Sequence, residues 1–172
     1  MRLLLAAATA TALVLANAAH AKEYYIGGPD YQDSMEIVSS YLLSVQMDPM
    51  PPDMPMSGSD VIHLEVDLHA TANNPWGYED QSWIPYVTID YVLTKEGTPW
   101  QHAAKLLPMS ANDGPHYADS VEMDGPGKYK VVYTFEPPSV NGYFRHTDKE
   151  TGIPAWWKPF SETFTFTYPV KG

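Results

Sequence analysis

The chain contains no cysteine. Disulfides therefore play no part in holding the fold, and thiolate metal sites are excluded. Positive charge is also scarce: 10 Lys and Arg stand against 21 Asp and Glu, a formal net charge of −11. A field of that sign disfavours nucleic acid and anionic lipid as partners and favours cations. After the first residues no long apolar run occurs and no segment keeps a helical period, and the 16 prolines would break most helical candidates. What remains in quantity is 6 His and 8 Met, the borderline and soft ligands left when thiols are missing.

The N-terminal stretch has one positive residue, Arg2, then an apolar middle, and ends in Ala19-His20-Ala21 before Lys22. This pattern predicts a cleavable secretory signal peptide over residues 1–21 and a periplasmic destination. A membrane span needs about 20 apolar residues, and Thr9, Thr11 and Asn17 interrupt this one. With no cysteine there is no lipidated anchor either, so no direct membrane attachment is expected. Residues 22–172 have the length of a single domain with a real core. Loss of Arg2 would move the formal charge from −11 to −12.

Proline and glycine punctuate the remainder at short intervals, with β-branched and aromatic residues between them. That rhythm predicts an all-β antiparallel protein, with the turn spacing of a β-sandwich. From 61 to 71 the residues alternate. His63, Glu65, Asp67 and His69 fall on one face, and Ile62, Leu64, Val66 and Leu68 on the other. Further strands are expected over 35–45, 83–94, 103–109, 128–135 and 160–168. The tryptophans, including Trp156-Trp157, are expected as core or interface anchors and not as a sugar platform.

Ligand types gather in four places. A loop, Met47-Asp-Pro-Met-Pro-Pro-Asp-Met-Pro-Met56, is too rich in proline for helix or strand. It reads either as a plain surface connection or as a strip of thioethers for Cu(I). The polar face of 61–71 reads equally as a wet outer face or as a metal face. Met109, Asp113 and His116 flank an Asn112-Asp113-Gly114-Pro115 turn that can aim them at one point. His146 lies in the charged loop Arg145-His-Thr-Asp-Lys-Glu-Thr-Gly152.

Taken together, Lys22-Glu-Tyr-Tyr-Ile-Gly-Gly-Pro29, Ile62-His-Leu-Glu-Val-Asp-Leu-His-Ala70, Trp83-Ile-Pro-Tyr86, Asp113-Gly-Pro-His-Tyr117 and the 145–152 loop resemble the periplasmic Fe²⁺ transport protein family. The resemblance implies an immunoglobulin-like β-sandwich that forms homodimers, with copper near the dimer interface. It implies His63, Met109, His116 and His146 as copper ligands, with Glu65 close enough to approach the metal. Glu65 and Asp113 match the family's carboxylates for a second ion, iron or its surrogate manganese. An inner-membrane iron permease is the implied partner. Imidazole suits both copper states, the thioether favours the reduced one, and a mobile carboxylate would shift that balance.

Two alternatives stand beside an accessory of iron uptake. One is a copper-dependent ferroxidase or ferric reductase. Four protein ligands would saturate copper and leave no open position for oxygen, which weighs against an enzyme. The other is a periplasmic copper chaperone unrelated to iron, suggested by the methionine loop.

Overall fold

A computed structural model describes residues 22–43, 45–52, 54–55 and 58–169. The expected signal peptide and Met56 lie outside the described residues. Eight strands follow in chain order: β1 Tyr24–Gln32, β2 Met35–Leu43, β3 Val61–Ala70, β4 Thr88–Lys95, β5 Gln101–Ala111, β6 Gly114–Glu122, β7 Gly127–Glu136 and β8 Phe160–Tyr168. Among the described residues the one helical element is a 3₁₀ turn, Pro138–Asn141. No helix among them is long and apolar enough to cross a membrane. The all-β antiparallel architecture expected from the turn rhythm is present.

The strands form one antiparallel sheet in the order β1-β2-β3-β6-β5-β4-β7-β8. It is folded on itself at β5. Residues 101–106 of that strand pair with β4, whereas Leu107–Ala111 pair with β6. The two ends of the order, β1 and β8, come back together where Gly27 lies against the ring of Phe164. A side chain at Gly27 would strike that ring, which explains the glycine at this closure.

Between the two halves lies the core. Ile62, Leu64, Val66 and Leu68 of β3 are fully buried, as are Ile37, Ile89, Val131, Tyr133 and Phe135. These are the apolar halves of the alternating patterns, so period-two patterning and burial agree. Trp76 and Trp157 are buried with them, and Trp83, Trp100 and Trp156 pack against the cluster, as anchors would.

One expected strand is corrected, and two strands were not expected. The strand predicted over 83–94 begins only at Thr88. Residues 84–87 form a connector in which Tyr86 takes φ 63, a left-handed conformation incompatible with a continuing strand. Tyr117 clamps this connector: its hydroxyl donates to the Ile84 carbonyl at 2.9 Å and accepts from Val87 N–H at 3.0 Å. Strands β1 and β6 escaped the sequence reading. Gly27-Gly28-Pro29 interrupts β1 with register shifts, and β6 opens on Gly114-Pro115 and carries Asp119 inward, where Tyr91 donates to it at 2.7 Å.

Candidate metal centre

The centre is built on the face of β3 that points away from the core. In the ladder, His63 stands opposite Leu42 and Ser120, and Glu65 opposite Ser40 and Ala118. Residues directly opposite in an antiparallel pair share a face. His116 lies on this same face of β6, and opposite it on β5 stands Met109. The sequence left open whether this was a wet surface. It is not: His63 is 3% exposed, His116 6% and Glu65 8%.

Glu65 Oε1 lies 3.4 Å from His116 Nε2 and 3.6 Å from His63 Nε2. The two imidazole rings meet nearly edge to face, centroids 6.1 Å apart. His63 Nδ1 is held by the Ser120 hydroxyl at 3.2 Å, which turns Nε2 toward Glu65. Separations of 3.4 and 3.6 Å are too long for good direct hydrogen bonds. They are the spacing of donors around an ion with bonds of about 2 Å. Three buried polar groups thus converge without satisfying one another, and an ion placed among them would satisfy all three. Together with the Met109 thioether, two imidazoles and a carboxylate are a donor set that fits copper.

Electrostatics favour the same occupant. Burial, reinforced by His116, depresses the His63 pKa to about 4, so its imidazole is neutral and ready to donate a lone pair. Burial, followed by the charges of Asp67, Glu23 and Asp113, raises the Glu65 pKa to about 8, opposed by the Ser40 hydroxyl. Asp67 is also shifted upward, chiefly by burial. Carboxylates whose charge is penalised by burial and by neighbouring carboxylates are carboxylates that a cation would stabilise.

Two cavities meet here. The larger, about 1000 Å³, is lined by His63, Glu65, Met109, Asp113 and His116, and by residues 45–52, which lead into the methionine loop. The smaller, about 210 Å³, is lined by Glu23, Glu65, Asp67, His69, Asp113 and His116. Glu65, Asp113 and His116 border both. Of the residues singled out from sequence, His63, Glu65, Met109, Asp113 and His116 come together. His146 does not join them. It lies in the loop after the 3₁₀ turn with its side chain 74% exposed, its Nδ1 2.7 Å from Thr151 Oγ1 and 3.9 Å from Asp148 Oδ2.

Ser120, Ser40 and Glu23 were missed. Their signal was the pairing register, which places Ser40 and Ser120 beside β3 and is not written in any one segment. Asp67 and His69, left open as orienting partners, an adjacent ion site or solvent-exposed groups, line the acidic cavity half-buried.

Comparison with known proteins gives three kinds of match. The sequence profile of a family described as Fe²⁺ transport protein matches residues 20–170. The UPF0423 protein of Brucella abortus is 42% identical over 163 residues, covering 93% of this chain and 89% of that protein. A copper-bound variant of FetP from uropathogenic Escherichia coli superposes with a TM-score of 0.82 at 42% identity, covering 86% of this chain and 98% of that one. Copper-reconstituted P19 from Campylobacter jejuni superposes with a TM-score of 0.81 at 37% identity, covering 86% and 97%. FetP has also been crystallised as isolated after expression in the periplasm of E. coli.

Proposed function

The chain belongs to the Fe²⁺ transport protein family, and from that premise we propose that it is a copper-binding carrier in high-affinity iron uptake, acting in the periplasm beside an inner-membrane iron permease. The observation that carries this reading is the buried triangle of His63, Glu65 and His116 beside Met109. In it His63, His116 and Met109 hold copper, and Glu65 moves toward or away from it. Copper would supply a one-electron couple at this point. The chain's own part is to keep both imidazoles neutral and oriented, to offer a thioether that favours the reduced state, and to hold an anionic oxygen that favours the oxidised one.

Iron is the cargo in this reading. Glu65 and Asp113, with Glu23 and Asp67 around the smaller cavity, are hard oxygen donors suited to ferrous iron or to manganese as its surrogate. That acidic cavity, contiguous with the copper residues, favours iron carriage over a copper chaperone unrelated to iron.

The remaining parts follow the resemblance. Residues 1–21 are a signal peptide and 22–172 one domain. The fold at β5 is the corner of an immunoglobulin-like sandwich. The chain works as a homodimer, and His146, exposed and remote from the triangle within one chain, serves as a ligand to the copper site of the second copy. Its hydrogen bond to Thr151 leaves Nε2 as the nitrogen that faces outward.

The test is a Cu(II) titration of the wild type against His116→Ala and Met109→Leu. Each variant should bind copper roughly tenfold more weakly or worse, with an unchanged circular dichroism spectrum. Unaltered titrations in both would move the site elsewhere. For the cargo, a deletion strain should show a growth defect cured by excess iron; copper sensitivity alone would overturn the iron half of the reading.

A further inference from the structure

The methionine loop is the part of the metal cavity that the reading above does not use. Residues 45–52, which run from the end of β2 into the loop, form one wall of the larger cavity with His63, Glu65, Met109 and His116. Within it, Met47 is half-buried and Met50 is 66% exposed. With Pro49, Pro51 and Pro52 the segment forms neither strand nor helix. Sulfur and nitrogen donors are thus graded by depth: Met50 outermost, Met47 and Met109 half-buried, His63 and His116 buried.

We propose that Met47 and Met50 form a thioether station that captures Cu(I) at the cavity mouth and passes it inward to Met109 and the histidines. Thioethers bind soft Cu(I) and have little affinity for the hard cations that an acidic protein also attracts. The station therefore selects copper from a mixture before it reaches carboxylates that would accept iron. The transfer is a ligand exchange from sulfur to sulfur and nitrogen, with copper monovalent throughout, so no electron donor or acceptor is required.

The inference rests on the copper reading only for the destination of the ion, and its test reads capture separately. The measurement is an anaerobic Cu(I) titration of the mature chain against a chromophoric Cu(I) chelator, with X-ray absorption to identify the donors. The variant His63→Ala/His116→Ala should still take up Cu(I), bound by sulfur. The variant Met47→Leu/Met50→Leu should keep wild-type Cu(II) affinity but load Cu(I) roughly tenfold more slowly or worse. In the wild type, Ag(I) should shift the methyl resonances of Met47 and Met50, a readout that does not depend on whether the histidine variant folds. Loss of all sulfur-bound Cu(I) from the folded histidine variant, unshifted Met47 and Met50 resonances, or wild-type loading in the methionine variant would each overturn the station. Failure of the copper reading itself would appear instead as Cu(II) affinity indifferent to His116→Ala.

Discussion

At the scale of single residues, the behaviour of the centre turns on Glu65. Its carboxyl is 3.4 and 3.6 Å from two Nε2 atoms, and burial holds its pKa near 8. In the metal-free protein it is therefore mostly protonated at neutral pH. A raised acid pKa means that the folded state favours the proton. The associated stability is complete below the ordinary glutamate value of 4.5 and is lost as pH rises through about 8. His63 runs the other way, its contribution complete above 6.5 and lost as pH falls toward 4. The metal-free protein should thus be destabilised from both sides, and Glu65→Gln should remove the alkaline limb of a thermal-melting profile. Binding of Cu(II) that engages the carboxylate must expel its proton. Copper affinity should accordingly rise with pH up to about 8 in the wild type and flatten in Glu65→Gln over that range. An unchanged slope would mean that Glu65 does not respond to the metal.

At the scale of elements, β6 holds the centre to the fold by alternating its side chains between two tasks. His116 faces the cavity, whereas Tyr117 faces the core and clamps the 84–87 connector. Tyr117→Phe would leave the Ile84 carbonyl and the Val87 N–H without this partner. Burying such groups unpaired costs about 1–3 kcal/mol each. The variant should therefore lose a few kcal/mol in a urea unfolding titration while keeping its Cu(II) affinity, since His116 points the opposite way. A parallel loss of copper would show that the clamp also sets the geometry of the centre.

Alternation in β3 made the shared face of His63 and Glu65 legible from the chain alone, as the Asn112-Asp113-Gly114-Pro115 turn did for the approach of Met109 to His116. Burial of that face was not legible. It depends on β6, a strand hidden by Gly114-Pro115 and an inward Asp119, and on a proline-rich loop whose wall position no local pattern encodes. Residue patterns described each segment alone, and the pairing register brings them together. The β1 closure was equally hidden, because Gly27 and Gly28 break the strand pattern for the sake of a close approach to Phe164 and to the backbone of Ile37.

At the scale of the whole molecule, the acidic balance pulls against an assembly and the place of His146 toward one. A chain of formal charge −11 repels its copies at long range. A homodimer must therefore offset that repulsion by burying apolar surface or by sharing a cation. His146 is held by Thr151 yet 74% exposed, with no place in the cavity of its own chain. A ring so held suits a ligand that crosses to a second copy, because little rotamer freedom is left to lose on binding. The decisive case is a heterodimer purified on two different tags, one subunit carrying His63→Ala/His116→Ala and the other His146→Ala. With His146 acting across the interface, the second subunit's histidines and the first subunit's His146 rebuild one complete site, and Cu(II) should bind with wild-type affinity at half the wild-type stoichiometry. If His146 acted within its own chain, or not at all, no restored site would distinguish the heterodimer from the parent variants. A wild type that sediments as a monomer with copper bound at full affinity would overturn the assembly and leave His146 outside the centre.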